Sequence, residues 1–326
     1  MRLHTGTTSK SADFHNRYLA TLSTKVGPGI SKRRDASASS IEQRVLQSNT
    51  ILEAFGCART LRNDNSSRFG KFIELKFSNR GQLLGASIDT YLLEKARIVS
   101  HTCGERTYHI FYEVLDEKSF SSVEREKLCI HAATSRDFAI TTSEDGRERS
   151  RLLHNGYDDH AKMFAELKRS MHTMEFSRQD QMEIFQTVIG LLHLSNLTLQ
   201  GGFIETNDGE GCTINNDHPS LGPALQLLGV SCEAMNTAVT TVQFKAVNEL
   251  VTRNLNVDQS CRAIQALIKG AYDSIFMLLV ARINSCIVGT EDDSGGAFIG
   301  LLDIFGFECF TSNSFEQLVS TQAKCR

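Results

Sequence analysis

The segment "NDNSSRFGKFIEL", residues 63–75, joins a crowded polar stretch to an alternating one. Asn, Asp, Ser and Arg side chains fill its first half, up to Phe69 and Gly70. In its second half Ile73 and Leu75 alternate with charged residues, which predicts a β-strand with one buried face. A surface turn explains the Asn and Ser residues, but it does not explain an arginine just before a strand. The flanking sequence has to decide between a plain turn and a functional loop.

The stretches on either side of this segment predict regular structure. Upstream, "IEQRVLQSNTILEAFG" (41–56) has apolar residues at helical spacing, and its last glycine predicts the end of a helix. Downstream, the turn residues "SNRGQ" and the returning strand "LLGASIDTYLL" predict a β-hairpin. Much later, "AFIGLLDIFGFE" (297–308) is a short apolar run bounded by glycines. It predicts a buried strand that ends at Asp303.

Helical periodicity dominates the middle of the chain. It predicts helices in "RTYHIFYEVLDE", "DHAKMFAELKRSMHTM" and "SRQDQMEIFQTVIGLLHLSNL", and from Ile264 to Ile287. Residues 25–40 are rich in Gly, Ser, Lys and Arg, which predicts a flexible exposed loop. The whole pattern indicates a mixed α/β core with many inserted helices.

Composition excludes several classes of function. The 326 residues suffice for one large domain or two ordinary ones, and 40% apolar with 22% charged residues is typical of a globular protein. A net charge of −3 gives no general attraction to nucleic acid or to an anionic membrane. No apolar run approaches the roughly 20 residues that span a bilayer, so no transmembrane segment is expected.

Cysteine and histidine usage points to a reducing compartment and to no metal centre held by the protein alone. The nine cysteines are scattered without a CxxC pair, and the start of the chain has no apolar signal region. This pattern predicts reduced thiols in the cytoplasm. The ten histidines include no HExxH or similarly paired ligands.

Two polar clusters belong together chemically. The Ser- and Asn-rich loop precedes one strand, and Asp303 ends another strand that is followed by Gly306 and Glu308. Nucleoside triphosphatases combine a hydroxyl that coordinates Mg²⁺, a strand-end aspartate that holds the metal's water, and a glycine amide that faces the γ-phosphate. Loops of this kind act as switches, because they are held by the γ-phosphate and released after hydrolysis.

The two clusters resemble the switches of one family. "NDNSSRFGK" is similar to switch I of the myosin motor, and "DIFGFE" is similar to its switch II. Kinesins share N-x-x-S-S-R, but they continue with Ser-His and end their second switch in Gly-Ser-Glu. Further stretches resemble myosin, among them "SNTILEAFGCARTLRN", "YLLEKARIV", "ERTYHIFYEVL", "LLHLSNL" and "NSFEQL". The resemblance covers about residues 11–318.

The resemblance implies a fold and a parent activity. The fold would be α/β, a P-loop NTPase-like motor core fragment with a mixed sheet and a large, mostly helical inserted subdomain at 85–290. Switch I would be 63–71, switch II 303–308, and a truncated relay helix 312–326. The parent activity would be actin-dependent hydrolysis of ATP with Mg²⁺, in a cytoplasmic, cytoskeleton-associated motor. Light chains would bind only if the full-length protein has a neck.

The resemblance also implies roles in holding the nucleotide and its metal. Asn63 would contact the nucleotide, and Ser67 would ligate Mg²⁺ directly. Asp303 would hold the metal through a water molecule. Asp64 stands where the family usually has another Asn, which adds a negative charge beside a triphosphate.

Four further residues would act in catalysis. Ser66 would lie beside the attacking water, and the amide of Gly306 would face the γ-phosphate. Arg68 would pair with Glu308 when the two switches close. Charge-assisted hydrogen bonds make this pair a latch between two loops. Exclusion from water is needed, because an exposed pair is worth only about 0–1 kcal/mol.

One expected element is absent from the sequence. The myosin P-loop, GESGAGKT, would lie just before the helix ending in "YLATLS". Counting back from Tyr18 puts Thr7, Thr8 and Ser9 where its Gly-Lys-Thr belongs. The lysine and the glycines that let backbone amides wrap phosphates are therefore missing. We expect little or no ATPase from the isolated chain.

Two alternatives to a myosin motor fragment remain open from the sequence. One is a non-catalytic pseudo-motor that binds actin or motor partners. The unmatched ends "MRLHTGTTS" and "VSTQAKCR" also fit a truncated gene model without its P-loop. Partner binding to nucleic acid is not expected in either case.

Overall fold

A computed structural model describes residues 40–142, 159–206, 211–246, 249–289 and 297–303. The chain divides into two compact units. The first, here called the sheet unit, takes Met1–Glu94, Leu152–Arg178 and Phe276–Arg326. The second, the helical unit, takes Lys95–Arg151 and Gln179–Ile275. The described residues expected to act on nucleotide, which are Asn63, Ser66, Ser67, Arg68 and Asp303, belong to the sheet unit.

Helix α1 (Ile41–Gly56) opens the described part of the sheet unit. Ser40 caps it, because its hydroxyl accepts a hydrogen bond from the backbone amide of Gln43. Its apolar stripe, including Ile51, Leu52 and Phe55, is fully buried. The helix ends where Cys57 turns into extended backbone, so the chain leaves it directly as a strand.

Two short strands and a hairpin follow. Strand β1 (Cys57–Ala58) pairs antiparallel with β2 (Ser66–Ser67), and β3 (Gly70–Phe77) pairs antiparallel with β4 (Leu83–Tyr91). The tight turn is held by Ser78, whose amide and hydroxyl are both hydrogen-bonded within it. Gly81 sits there with a positive φ of 75°, which glycine adopts without strain.

The strand that ends at Asp303 completes the larger sheet. The strand β9 (Phe298–Asp303) pairs antiparallel with β3, so the order is β4-β3-β9. The register sets Lys71 opposite Asp303. The described strand pairs are thus antiparallel, and the mixed sheet stays a prediction. The predicted burial of this strand is wrong for Phe298 and Leu302, which are 66% and 60% exposed among the described residues.

Helix α1 packs against a second helix of the sheet unit. That helix, α4 (His160–Thr173), is capped by Asp159 and buries Phe164, Leu167 and Met171. Ser170 on it donates a hydrogen bond to Gln47 on α1. The hairpin and this helix pair confirm the periodicity read from the sequence.

Where the structure describes it, the helical unit has helices and two small antiparallel strand pairs. Its helices and strands are α2 (His109–Glu113), α3 (Ser122–Lys127), α5 (Arg178–Asn196, whose first residue lies in the sheet unit), β5 (Phe203–Glu205), β6 (Cys212–Ile214), α6 (Leu221–Leu228), α7 (Cys232–Thr240), β7 (Thr241–Ala246) and β8 (Glu249–Asn254). Short 3₁₀ turns lie at Lys95–Ile98 and Ser135–Asp137. The helix predicted in "RTYHIFYEVLDE" is present but covers only five residues. The extent of the 85–290 subdomain stays a prediction.

Helix α8 (Val257–Ile287) is the longest described element. By length and composition alone it would pass as a membrane-crossing helix. Its fully buried apolar residues recur every three to four positions, at Ile264, Ile268, Tyr272, Phe276, Leu279, Ile283 and Ile287. That spacing is typical of a helix with one buried face, and 39% of its most apolar window is buried.

Candidate switch site

The loop that carries the predicted site residues is closed at both ends by backbone pairing. Cys57 pairs with Ser67 and Ala58 with Ser66. The amide of Arg68 also donates to the carbonyl of Gly56 at 2.8 Å. The end of helix α1 therefore fixes where Ser66 and Arg68 lie.

Inside the loop, Asn63 organises the backbone. Its Oδ1 accepts from the amide of Asn65 at 3.0 Å, and its Nδ2 donates to the carbonyl of Asn65 at 3.2 Å. Its own carbonyl accepts from the amide of Thr60 at 2.9 Å. This local bonding is the usual reason for Asn in a tight loop. A contact between Asn63 and nucleotide stays a prediction.

The extra negative charge of Asp64 is compensated within the same loop. Its Oδ1 lies 3.1 Å from Nε of Arg59, and both side chains are about 95% buried. A buried carboxylate needs such a partner, because its desolvation is otherwise costly. Asp64 is thus paired with a cation and does not add an unbalanced charge to the site.

Arg68 has a carboxylate partner that the sequence did not reveal. Its Nε lies 2.6 Å from Oε2 of Glu94, with the two side chains 2% and 9% exposed. One terminal nitrogen, Nη1, donates to the hydroxyl of Ser66 at 3.1 Å. Glu308, the predicted partner of Arg68, lies outside the described residues, as does Gly306.

Ser66 and Ser67 are consecutive residues of strand β2 and differ in burial. Ser66 is 3% exposed, whereas Ser67 is half-buried. Successive strand side chains point to opposite faces of the strand. The two side chains therefore lie on opposite faces of β2, and the division of their roles between water and metal stays a prediction.

Asp303 forms an ion pair with Lys71, the third residue after Arg68. The ammonium of Lys71 lies 3.8 Å from the carboxylate of Asp303 and donates to Oδ1 of Asn49 at 3.0 Å. Helix α1, strand β3 and strand β9 thus meet at one cation. Asp303 itself is only about two-thirds buried.

The thiol of Cys57 lies within the field of the same charges. Burial raises its pKa well above the ordinary 9.0, and Glu53 and Asp303 raise it further. Lys71 and Arg68 act in the opposite direction. Both predicted switches therefore bring a charged group close to the end of helix α1.

The oxygen atoms of Ser67 and Asp303 suit a hard cation whose other ligands are phosphates and water molecules. A hydroxyl at Ser67 and a carboxylate at Asp303 are oxygen donors, and Mg²⁺ with nucleotide typically takes one or two protein ligands, phosphates and waters. Within the described ranges no three His, Cys, Asp or Glu side chains cluster as a metal site. The two oxygen donors are chemically compatible with Mg²⁺ bound to a phosphate ligand, and their role as metal ligands stays a prediction.

Sequence reasoning missed the residues that hold the site together. Glu94 lies in the stretch "YLLEKARIV", whose resemblance to myosin implies no role for this residue. Arg59 and Lys71 were likewise given no role. Salt bridges between residues far apart in sequence leave no periodic pattern. The one sequence feature that could indicate them is a charged residue next to a recognised motif.

Comparison with known proteins identifies a family. The family described as myosin head (motor domain) matches residues 6–323. The chain is 39% identical over 277 residues to Myosin-VIIa of Drosophila melanogaster, covering 85% of this chain and 12% of that protein. It is 38% identical over 281 residues to the non-muscle Myosin-2 heavy chain of Acanthamoeba castellanii, covering 85% and 17%.

A plant relative extends the same result. Myosin-3 of Arabidopsis thaliana is 36% identical over 288 residues, covering 88% of this chain and 24% of that protein. The chain thus spans only a small part of the length of the relatives it matches. A match over nearly all of its own residues, together with the serine–arginine loop and the strand ending in aspartate, establishes that this chain belongs to the myosin motor-domain family.

Proposed function

We propose that this chain is part of an actin-based motor that hydrolyses ATP with Mg²⁺, in the cytoplasm and on the cytoskeleton. The observation that carries the proposal is the joining of Ser66, Arg68 and Glu94 in one buried hydrogen-bonded group. A plain surface turn does not need a nearly fully buried arginine. Because Arg97 and Glu105 form an equally buried pair, burial alone does not mark a functional site. What favours a functional loop is the bond that the buried Arg68 donates to the hydroxyl of Ser66.

The chain's own residues would act by position and charge. Ser67 would supply an oxygen to the metal of the nucleotide, and Ser66 would hold the attacking water. Arg68, fixed by its neighbours, would stabilise negative charge near the γ-phosphate. Mg²⁺, when bound, neutralises phosphate charge. The rate gain would come from preorganised groups that need no rearrangement during the reaction.

Closure of the site would add a contact between Arg68 and Glu308. A guanidinium carries five N–H donors, so bonds to Glu94 and Ser66 are compatible with a further bond to Glu308. The latch between Arg68 and Glu308, and a Gly306 amide facing the γ-phosphate, remain part of this proposal. Asp303 would hold the metal's water from strand β9.

A non-catalytic pseudo-motor is the second candidate. What favours it is the sequence at Thr7, Thr8 and Ser9, which stand where the family has Gly-Lys-Thr. Without that lysine the phosphates lose a cation and a backbone cradle. The isolated chain is then expected to bind Mg·ATP weakly and to turn it over little or not at all.

The test is binding of a fluorescent ATP analogue to the purified chain, with Mg²⁺ or with EDTA. We expect weak, saturable binding that requires Mg²⁺ and is reduced at least tenfold by Ser67→Ala. Ser121→Ala, which removes a helix cap in the helical unit, is the control and should leave binding unchanged. No saturable binding, together with actin co-sedimentation that ignores nucleotide, would favour the pseudo-motor.

A further inference from the structure

Glu94 reaches Arg68 through an unusual backbone conformation. Leu92 has a positive φ of 54°, which is uncommon for a residue with a branched side chain. Such a conformation persists only where the surrounding structure enforces it. It turns the chain after strand β4 so that the amide of Glu94 donates to the carbonyl of Arg68 at 2.9 Å.

The side chain of Glu94 adds a second, shorter contact to the same residue. Its Oε2 lies 2.6 Å from Nε of Arg68, in a nearly water-free setting. Arg68 is thereby held at its backbone carbonyl and at its guanidinium. Charge-assisted bonds of this length are among the stronger ones in proteins.

A guanidinium is planar, so fixing Nε and the backbone restricts where Nη1 can point. In this orientation Nη1 donates to the hydroxyl oxygen of Ser66. A hydroxyl that accepts this bond has its own hydrogen available for a different acceptor. We infer that Glu94 is a positioning residue: it orients Arg68, and Arg68 in turn orients the hydroxyl of Ser66 as a donor.

This role is separate from simple stabilisation by a buried ion pair. The helical unit contains a comparable pair, Arg97 and Glu105, with 2.8 Å between Nη1 and Oε2 and both side chains 1% exposed. That pair provides a matched control. The use of the oriented hydroxyl in hydrolysis rests on the proposed function, but the orientation itself does not.

The test is nuclear magnetic resonance of the full chain with labelled arginine and serine. Arg68→Lys identifies the Nε–H signal of Arg68, and Ser66→Ala identifies the Cβ signal of Ser66. We expect Glu94→Gln to shift both signals and to speed exchange of the Nε proton with water at least tenfold. Glu105→Gln should leave both signals in place.

Three results would overturn the inference. They are an unchanged Nε signal in Glu94→Gln, an unchanged Ser66 signal in that variant, or equal changes in Glu105→Gln. Should Glu94→Gln not fold, Glu94→Asp keeps the charge but shortens the reach, and it must shift both signals. Because none of these measurements uses nucleotide, failure of ATP binding would count against the proposed function and not against this one.

Discussion

Lys71 and Asp303 face each other on adjacent antiparallel strands, with 3.8 Å between ammonium and carboxylate. This cross-strand pair links the strand after the serine loop to the strand that delivers the candidate metal-water ligand. Lys71 also donates to Asn49 on helix α1. One cation thus joins three elements of the sheet unit.

Lys71→Met should therefore weaken the sheet unit modestly. Because the carboxylate is about one-third exposed, the ion pair is screened, and a loss of about 0.5–1 kcal/mol is expected. Urea unfolding at low and high salt measures it, and the difference from wild type should shrink as salt rises. A salt-independent loss would mean that the methylene packing of Lys71 matters more than its charge.

The buried pair of Arg59 and Asp64 should cost more to break. Arg59→Met leaves a carboxylate buried without its cation, so a loss of about 3–5 kcal/mol is expected. Asp64→Asn, which removes the charge but keeps the shape, should cost less. In chemical unfolding, the double variant should lose less than the sum of the two single ones, because its second change removes an already broken pair. Simple additivity would show that the two side chains are not coupled.

Gly85 should not tolerate a methyl group. A Cβ there would lie 2.7 Å from Cα of Gly289 and closer still to its nitrogen, so two backbone segments would have to separate. Gly85→Ala should cost about 1–3 kcal/mol or more in thermal unfolding, as overpacking does. Gly270→Ala is the control, because nothing lies within 4 Å and the helix should gain about 0.5–1 kcal/mol. Equal behaviour of the two variants would contradict the close approach.

Stability of the helical unit should fall in mild acid. Burial lowers the pKa of His193 below its ordinary 6.5, although the bond of its Nε2 to the carbonyl of Cys129 opposes this. The unfolded state then binds the proton more readily, so the contribution is full above pH 6.5 and is lost as pH falls through the folded pKa. Unfolding in urea at pH 7.5 and 5.5 measures the loss. His193→Gln should flatten that difference, and an unchanged difference would assign it to other groups.

Thiol reactivity should rank the cysteines by burial. Cys57 is 4% exposed and its pKa is raised, so little thiolate is present, whereas Cys103 is exposed. Brief alkylation followed by peptide mass spectrometry should modify Cys103 and spare Cys57. Modification of Cys57 at a similar rate in native conditions would mean that the end of helix α1 opens readily.

How far the sequence predicts this structure depends on the distance over which each signal acts. The alternation of apolar and charged residues from Ile73 to Phe77 predicted the hairpin, and Gly56 predicted the end of helix α1. Both predictions succeeded because they rest on local patterns. The contact between Arg68 and Glu94 joins residues 26 positions apart. It also depends on the left-handed backbone conformation of Leu92. Neither feature has a local signature.

Burial of the last strand was the clearest wrong prediction. The run from Phe298 to Asp303 is apolar enough for the interior, yet several of its side chains are exposed in the described part of the chain. An apolar sequence indicates that a strand is more stable when it is buried, but it does not identify the segment that would cover the strand. The sequence correctly predicted a strand that ends at Asp303, but it placed Ser66 and Ser67 in a loop, whereas the two serines form strand β2. The chemical roles of all three residues stay predictions.

Ser66 pairs with Ala58, and Ser67 pairs with Cys57. The number of residues in the loop between them therefore matters for this pairing. A strand alternates with a period of two, so the gain or loss of one loop residue would exchange the faces of the two serines. Substitutions within Arg59–Asn65 leave that parity intact, whereas a single-codon insertion or deletion reverses it. The identities of Arg59, Asn63 and Asp64 therefore provide the contacts inside the loop, and the number of loop residues determines which face each serine occupies.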